Sequence, residues 1–225
     1  MGMYAHALKN AVEVFEEAME IFNDPKFETK DDWKKEVQGE SASVYSKHIK
    51  SGKAFALRGE IPWHIEDVFE SNWSDVEAMP EWNSNIAFSR KVLRPTPNMD
   101  IVHYANNEVL IVKSRDFVVS RLKREINGKR YCIARSIEIP ELPETKERVR
   151  GIVHLGAGRF VPHPTKENAT CIDLILCMDL KGMLPKTIVN TVMARLMEKD
   201  YEQQLRYFER VRDQKLGKED ANNGA

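Results

Sequence analysis

The 225-residue sequence contains no apolar run approaching the roughly 18–20 residues a helix needs to cross a bilayer. It has 3 cysteines, Cys132, Cys171 and Cys177, an odd number with no CxxC spacing. That pattern argues against a disulfide framework and fits free thiols in a reducing compartment. Charge of either sign is not in excess: 34 basic and 35 acidic residues give a net −1, so no overall field favours nucleic acid or an anionic membrane. GxGxxG, P-loop, GxSxG and HExxH motifs are all missing, so no cofactor is expected. His154, His163 and Cys171 fit no standard zinc spacing, and no metal is expected. The acidic pairs Glu16-Glu17 and Asp31-Asp32 lie in helical or polar contexts suited to solvation, and no nucleophile stands beside a base. These absences favour a binding protein over an enzyme. The opening "MGMYAHALKN" lacks a basic region followed by an apolar core, so a cytoplasmic location is the expectation.

Against these absences stands clear patterning. Apolar residues make up 42% and charged residues 31%, enough to build a globular core. Leu8, Ala11, Val12, Phe15, Ala18, Met19 and Phe22 recur at helical spacing and predict an amphipathic helix over 8–22, ended by Asn23-Asp24-Pro25. Residues 53–61 read as a strand after a polar stretch, and Pro62 opens a short helix. "SDVE" at 74–77 reads as a capping box that starts another. Strand patterns follow at 85–94, 99–106, 115–124, 129–139, 148–164 and 169–180, with Asn127-Gly128 a strong hairpin signal. Pro185 then opens the longest helix, 185–212, with the stripe Val189, Met193, Met197, Tyr201, Leu205 and Phe208. Residues 213–225 have almost nothing to bury and are expected to be disordered. Strands joined mainly by hairpins imply an antiparallel sheet and an α+β class.

Small residues recur at sheet positions: Cys132, Ala134 and Ser136 on one face of a strand, and Gly156-Ala157-Gly158 in another. Such residues either bend a strand or make room. By themselves they favour a packed core with β-bulges over an open space. "RDFVVSRLKR" (115–124) poses a sharper question. As a strand it puts Phe117, Val119 and Arg121 on one face, yet alternation alone does not say whether that face is inside. A guanidinium in an apolar cavity is costly unless paired, and one that persists there orients a ligand.

"VEAMPEWNSNI" (76–86), "SRDFVVSR" (114–121) and "MDLKGMLPKTIVN" (178–190), with "WKKE" at 33–36 and "VRG" at 149–151, resemble the START, or StAR-related lipid transfer, domains. The likeness is to their cholesterol-binding steroidogenic acute regulatory branch and runs from about residue 8 to 212. The resemblance implies one START domain over 1–212 with a helix-grip fold: a curved antiparallel sheet around a C-terminal gating helix, with an internal lipid tunnel. It implies a monomeric, non-enzymatic carrier of one sterol-like lipid, in transient contact with organelle membranes. Carriers of a carotenoid, phospholipid or ceramide share the fold, as do enzymes acting on hydrophobic substrates. Within that frame Arg121 faces the tunnel, with Phe117 and Val119 beside it and Met193, Met197, Tyr201 and Leu205 on the gating helix. The "HP" of "VPHPTK" makes His163 a candidate, although a surface turn before Pro164 is an equal reading. Relatives pair the arginine with an acid just after a histidine. Here Tyr104 follows His103 where the acid would stand, so no carboxylate is expected beside Arg121; a different head group, a shifted pairing, or an arginine satisfied by water, carbonyls and the Tyr104 hydroxyl are the readings left open. Met183 stands where relatives carry a tryptophan.

Overall fold

The computed structural model describes residues 3–109 and 112–223. An N-terminal helix α1 (Met3–Asn23) and a short α2 (Pro25–Thr29) precede three strands, β1 (Lys34–Gln38), β2 (Ser43–Ile49) and β3 (Gly52–Ile61). Two more short helices follow, α3 (Ile65–Trp73) and α4 (Met79–Trp82). Then come β4 (Ile86–Thr96), β5 (Met99–Asn106), β6 (Arg115–Ile126), β7 (Lys129–Ser136), β8 (Val149–Arg150), β9 (Ile152–Pro162) and β10 (Thr170–Asp179). Helix α5 (Lys186–Asn223) closes the chain. The strands form one sheet in the order β1-β2-β3-β10-β9-β7-β6-β5-β4, and the two-residue β8 pairs with β6. All pairings are antiparallel except β6–β8. This is the helix-grip architecture, with α5 held on one face of the sheet and α1 on the other.

Local chemistry explains the hairpins. Asn127 and Gly128 both take positive φ, 51° and 72°, the conformation a tight turn between right-twisted strands needs. The polar stretch before residue 52 holds β1 and β2, which charge made hard to recognise. Lys34, Lys35 and Glu36 sit on the edge strand β1, where charged side chains discourage pairing with another sheet.

Two apolar layers flank the sheet. On the outer face, α1 buries Ala7, Ala11, Val14, Ala18 and Phe22 against residues such as Ile101, Val118, Ile133 and Leu155. The buried stripe is rotated from the one read in the sequence: Leu8 and Val12 are 44% and 38% exposed. Alanines at the contact let the helix axis approach the strands closely. On the inner face, Phe55, Leu57, Val119, Phe160 and Ile172 form the main core with Met193, Met197, Tyr201 and Phe208 of α5.

Two further expectations are corrected. Ser74 does not cap the segment after it; its hydroxyl bonds the Glu70 carboxylate, and the Glu77 carboxylate accepts from the Lys91 amide (3.1 Å). A 3-10 turn, Val76–Ala78, starts there instead. Helix α5 does not stop at 212 but runs to Asn223, through most of the segment expected to be disordered. Past the apolar stripe it carries mostly residues of good to fair helix propensity, with one glycine that costs about 1 kcal/mol. Residues 1–2 of the expected domain and 224–225 of the expected tail lie outside the described residues.

The grip on α5 has a close point. Gly59 of β3 lies under the Tyr201 ring, and the Tyr201 hydroxyl accepts from the Glu60 amide (3.0 Å) and donates to its carbonyl (2.9 Å). A Cβ on Gly59 would fall 2.3 Å from that ring. Gly59→Ala is therefore expected to push α5 off the sheet and destabilise the fold by about 1–3 kcal/mol in denaturant unfolding. An unchanged midpoint would mean that α5 is not seated at this point.

Candidate functional site

Between the inner face of the sheet and α5 lies a cavity of about 280 Å³, with Leu174, Val119, Ala134 and Gly156 among its wall residues. Ala134 and Gly156 face each other across β7 and β9. Larger residues there would fill the space, so the small residues of these strands do make room. Ala157, by contrast, points to the α1 side.

Strand alternation sorts β5 and β6. On β5, Val102, Tyr104 and Asn106 line the cavity, while Met99 and Ile101 face α1. On β6, Val119 and Arg121 line it, and Val118 and Leu122 face α1. The opening question of the strand is thus answered: the Phe117-Val119-Arg121 face is inside.

Arg121 is only 6% exposed, and the expectation that it lacks a carboxylate is overturned. Asp100 stands directly opposite it in the β5–β6 register and is 1% exposed. Arg121 Nε donates to Asp100 Oδ1 (2.8 Å) and Nη2 to Oδ2 (2.7 Å), a bidentate pair. Nη2 also donates to the Trp73 carbonyl (2.7 Å) and Nη1 to the Asn72 carbonyl (2.8 Å), both at the end of α3. The guanidinium lies over the Trp73 ring, 4.5 Å from its centroid. Burial works to lower the arginine's pKa, but the bonds to Asp100 overcome it and the net shift is upward. A guanidinium has five N–H donors, and four are used among the described residues, which leaves one on Nη1. The acid was missed because partnership follows strand register, and Tyr104 sits four residues further along β5, opposite Phe117.

Tyr104 stacks on Phe117 (5.1 Å between centroids, 23° between planes). Burial pushes its phenol pKa up, with Asp200 adding to the rise. Phe117 itself packs behind this wall, against Gly151. Of the α5 candidates, Tyr201 lines the cavity. Met193 and Met197 bury in the adjoining core, and Leu205 packs against it. His163 sits outside the cavity, beyond the end of β9. Its Nδ1 accepts from the Lys166 amide (3.0 Å) and its Nε2 lies 3.3 Å from Glu60. His103 points away as well. It lies between Arg90 (3.0 Å to Nδ1) and Asp116 (2.8 Å to Nε2), and burial lowers its pKa.

Sequence reasoning passed over a second polar group in the wall: Asp200 and Gln204 of α5, Ser89 of β4, and Asn83. Asp200 Oδ1 accepts from Asn83 Nδ2 (3.0 Å) and Asn85 Nδ2 (2.7 Å). It lines the cavity, and desolvation raises its pKa despite those bonds. The available signal was polar residues one turn apart on the buried stripe of α5. Among the described residues, no group of three or more histidine, cysteine or acidic side chains is arranged to hold a metal, and no helix is long and apolar enough to cross a membrane.

The START domain family profile matches residues 13–213. The chain belongs to the START domain family. It is 39% identical over 211 residues to steroidogenic acute regulatory-like protein 1 of Caenorhabditis elegans, covering 93% of this chain and 82% of that protein. It is 31% identical over 169 residues to the mitochondrial steroidogenic acute regulatory protein of Equus caballus, covering 72% of this chain but only 59% of that one. Among solved structures, human StAR-related lipid transfer protein 5 superposes with a TM-score of 0.82 at 19% identity, over 92% of this chain and 99% of that one. At that identity the superposition speaks for the fold alone.

The ion pair makes a test. Arg121→Leu leaves the Asp100 carboxylate buried without its partner and is expected to cost about 3–5 kcal/mol of unfolding free energy. Arg121→Leu with Asp100→Leu should recover most of that loss. If the single variant is as stable as the parent, the pair is solvated and the cavity end is open to water.

Proposed function

We propose that this START domain, residues 1–212, is a non-enzymatic carrier that binds one sterol-like lipid in the cavity beneath α5 and moves it between membranes. The observation that carries the reading is the pairing of a mostly apolar cavity with one spare guanidinium donor, on Nη1 of Arg121. Apolar fill supplies affinity, at roughly 25 cal/mol per Å² removed from water. A lone hydrogen bond to a ligand oxygen supplies orientation. The family of lipid transfer proteins supports the lipid class, and relatives named for steroidogenic regulation support the sterol. No nucleophile–base arrangement lines the cavity among the described residues, which is why a carrier is preferred to an enzyme.

Loading requires movement. A tetracyclic lipid with a side chain is a tight fit for a cavity of about 280 Å³. Entry then calls for the cavity to widen, and α5 is read as the wall that yields, because the sheet is fixed by its hydrogen-bond ladder. Met193 and Met197 suit that task, since unbranched thioethers repack without a strict shape. Met183, in the loop before α5, is fully exposed between Lys181 and Lys186, and an uncovered apolar side chain between cations fits transient docking on a membrane surface. The domain is read as a cytoplasmic monomer.

Titration with a fluorescent sterol tests the proposal. Saturable binding at one site per chain is expected, unchanged after chelator treatment and displaced by unlabelled sterol. Tight binding of a phospholipid with no saturable sterol uptake would overturn the sterol assignment, and loss of binding after chelation would reveal a metal requirement.

A further inference from the structure

Two of the three buried side-chain polar atoms that lack a partner among the described residues, Gln204 Nε2 and Ser89 Oγ, belong to residues lining one cavity. Gln204 is 4% exposed and Ser89 8%. A buried donor left unpaired costs about 1–3 kcal/mol, so two of them beside a partly buried carboxylate form an arrangement short of hydrogen bonds. Asp200 is the carboxylate, held at Oδ1 by Asn83 and Asn85. Both asparagines are themselves fixed: Asn83 Oδ1 accepts from the Asn85 amide (2.9 Å) and from Gln203 Nε2 (3.1 Å). Their bonds define the direction of the Asp200 carboxyl, and among the described residues no hydrogen bond is made at Oδ2.

This group is separate from the Arg121–Asp100 pair. Asp100 lies at the Met99 end of β5. The Asn85 carbonyl accepts from the Asn107 amide (2.7 Å), just beyond the other end of that strand. Ser89 stands opposite Tyr104 in the β4–β5 register, four residues from Asp100 or roughly 13 Å at 3.3 Å per residue, and Asn85, which holds Asp200, joins Asn107 three residues further on. The space between them carries Val102, Val119, Leu174 and Leu176.

We infer that the cavity has two polar poles, and that it recognises an elongated lipid carrying a hydroxyl at the end remote from Arg121 as well as an oxygen at the Arg121 end. A hydroxyl both donates and accepts. It can donate to Asp200, accept from Gln204 Nε2, and satisfy the Ser89 hydroxyl in either sense. An apolar chain end leaves all three groups desolvated and unpaired, so the pole discriminates against ligands polar at one end only. The upward shift of the Asp200 pKa is consistent with a group awaiting a partner. The inference rests on the reading of the cavity as a lipid site.

The experiment compares two sterols with the same ring hydroxyl, one bearing a second hydroxyl at the end of its side chain. The parent protein is expected to bind the diol about tenfold more tightly or better, the range of a hydrogen bond to a charged group. Asp200→Leu should reduce that advantage to less than about threefold. Gln204→Leu provides a second reading if Asp200→Leu does not fold: it should lower the diol advantage and raise the melting temperature of the ligand-free protein, because it removes an unpaired donor. Equal affinity of the parent for the two sterols overturns the inference and assigns the pole to water. So does a diol advantage that survives in Gln204→Leu and in any folded Asp200→Leu. If neither sterol binds the parent at all, it is the carrier reading that fails.

Discussion

A buried guanidinium must meet a carboxylate, and the interior of this protein is organised around that requirement. Arg121 and Asp100 sit opposite each other on adjacent strands, and the end of α3 lends two carbonyls to complete the shell. The pair ties β5, β6 and α3 together at one end of a cavity that would otherwise be a void. Desolvating two charges is expensive, and a pair of apolar residues could serve folding as well. The pair and the two carbonyls leave one N–H of Nη1 without a partner among the described residues, and the proposed lipid reading rests on that donor.

Space is the second constraint. Ala134 and Gly156 keep the sheet wall low, while Gly59 lets Tyr201 close on β3. The same helix is thus clamped at one point and stands off the sheet at another. The clamp fixes the register of α5 on β3, and the proposed loading route lies along its methionine-bearing first half. The outer face is built differently. Arg159 pairs with Asp173 (2.8 Å) and Glu28, and Arg58 with Asp173 (2.7 Å), a charge cluster that binds α2 to β3, β9 and β10. Alanines of α1 lie flat on the sheet beside it.

Much of this was legible in the sequence, for identifiable reasons. The hairpin at Asn127-Gly128 and the strands around it carry strong periodic and turn signals, and they lie where expected. The START motifs fixed the order of elements and the inward face of β6. What escaped depended on register or on charge. β1 and β2 were hidden by lysines and glutamate on an edge strand. Asp100 was passed over because its partnership depends on a pairing offset across the segment between β5 and β6, which no local pattern encodes. Tyr104 drew attention by standing next to His103, yet it shares the cavity face without touching the arginine's hydrogen-bond shell. Asp200 and Gln204 were overshadowed by the apolar residues of their own stripe. A polar residue on a buried helical face was the readable sign.

The central claim is that one lipid lies between the sheet and α5. A photoactivatable sterol, cross-linked to the protein and mapped by mass spectrometry, tests it most directly. The account predicts one adduct per chain, on cavity residues such as Tyr104, Val119, Ala134 or Leu174, suppressed by excess unlabelled sterol. Adducts confined to the α1 face, or spread over the surface without competition, would contradict it.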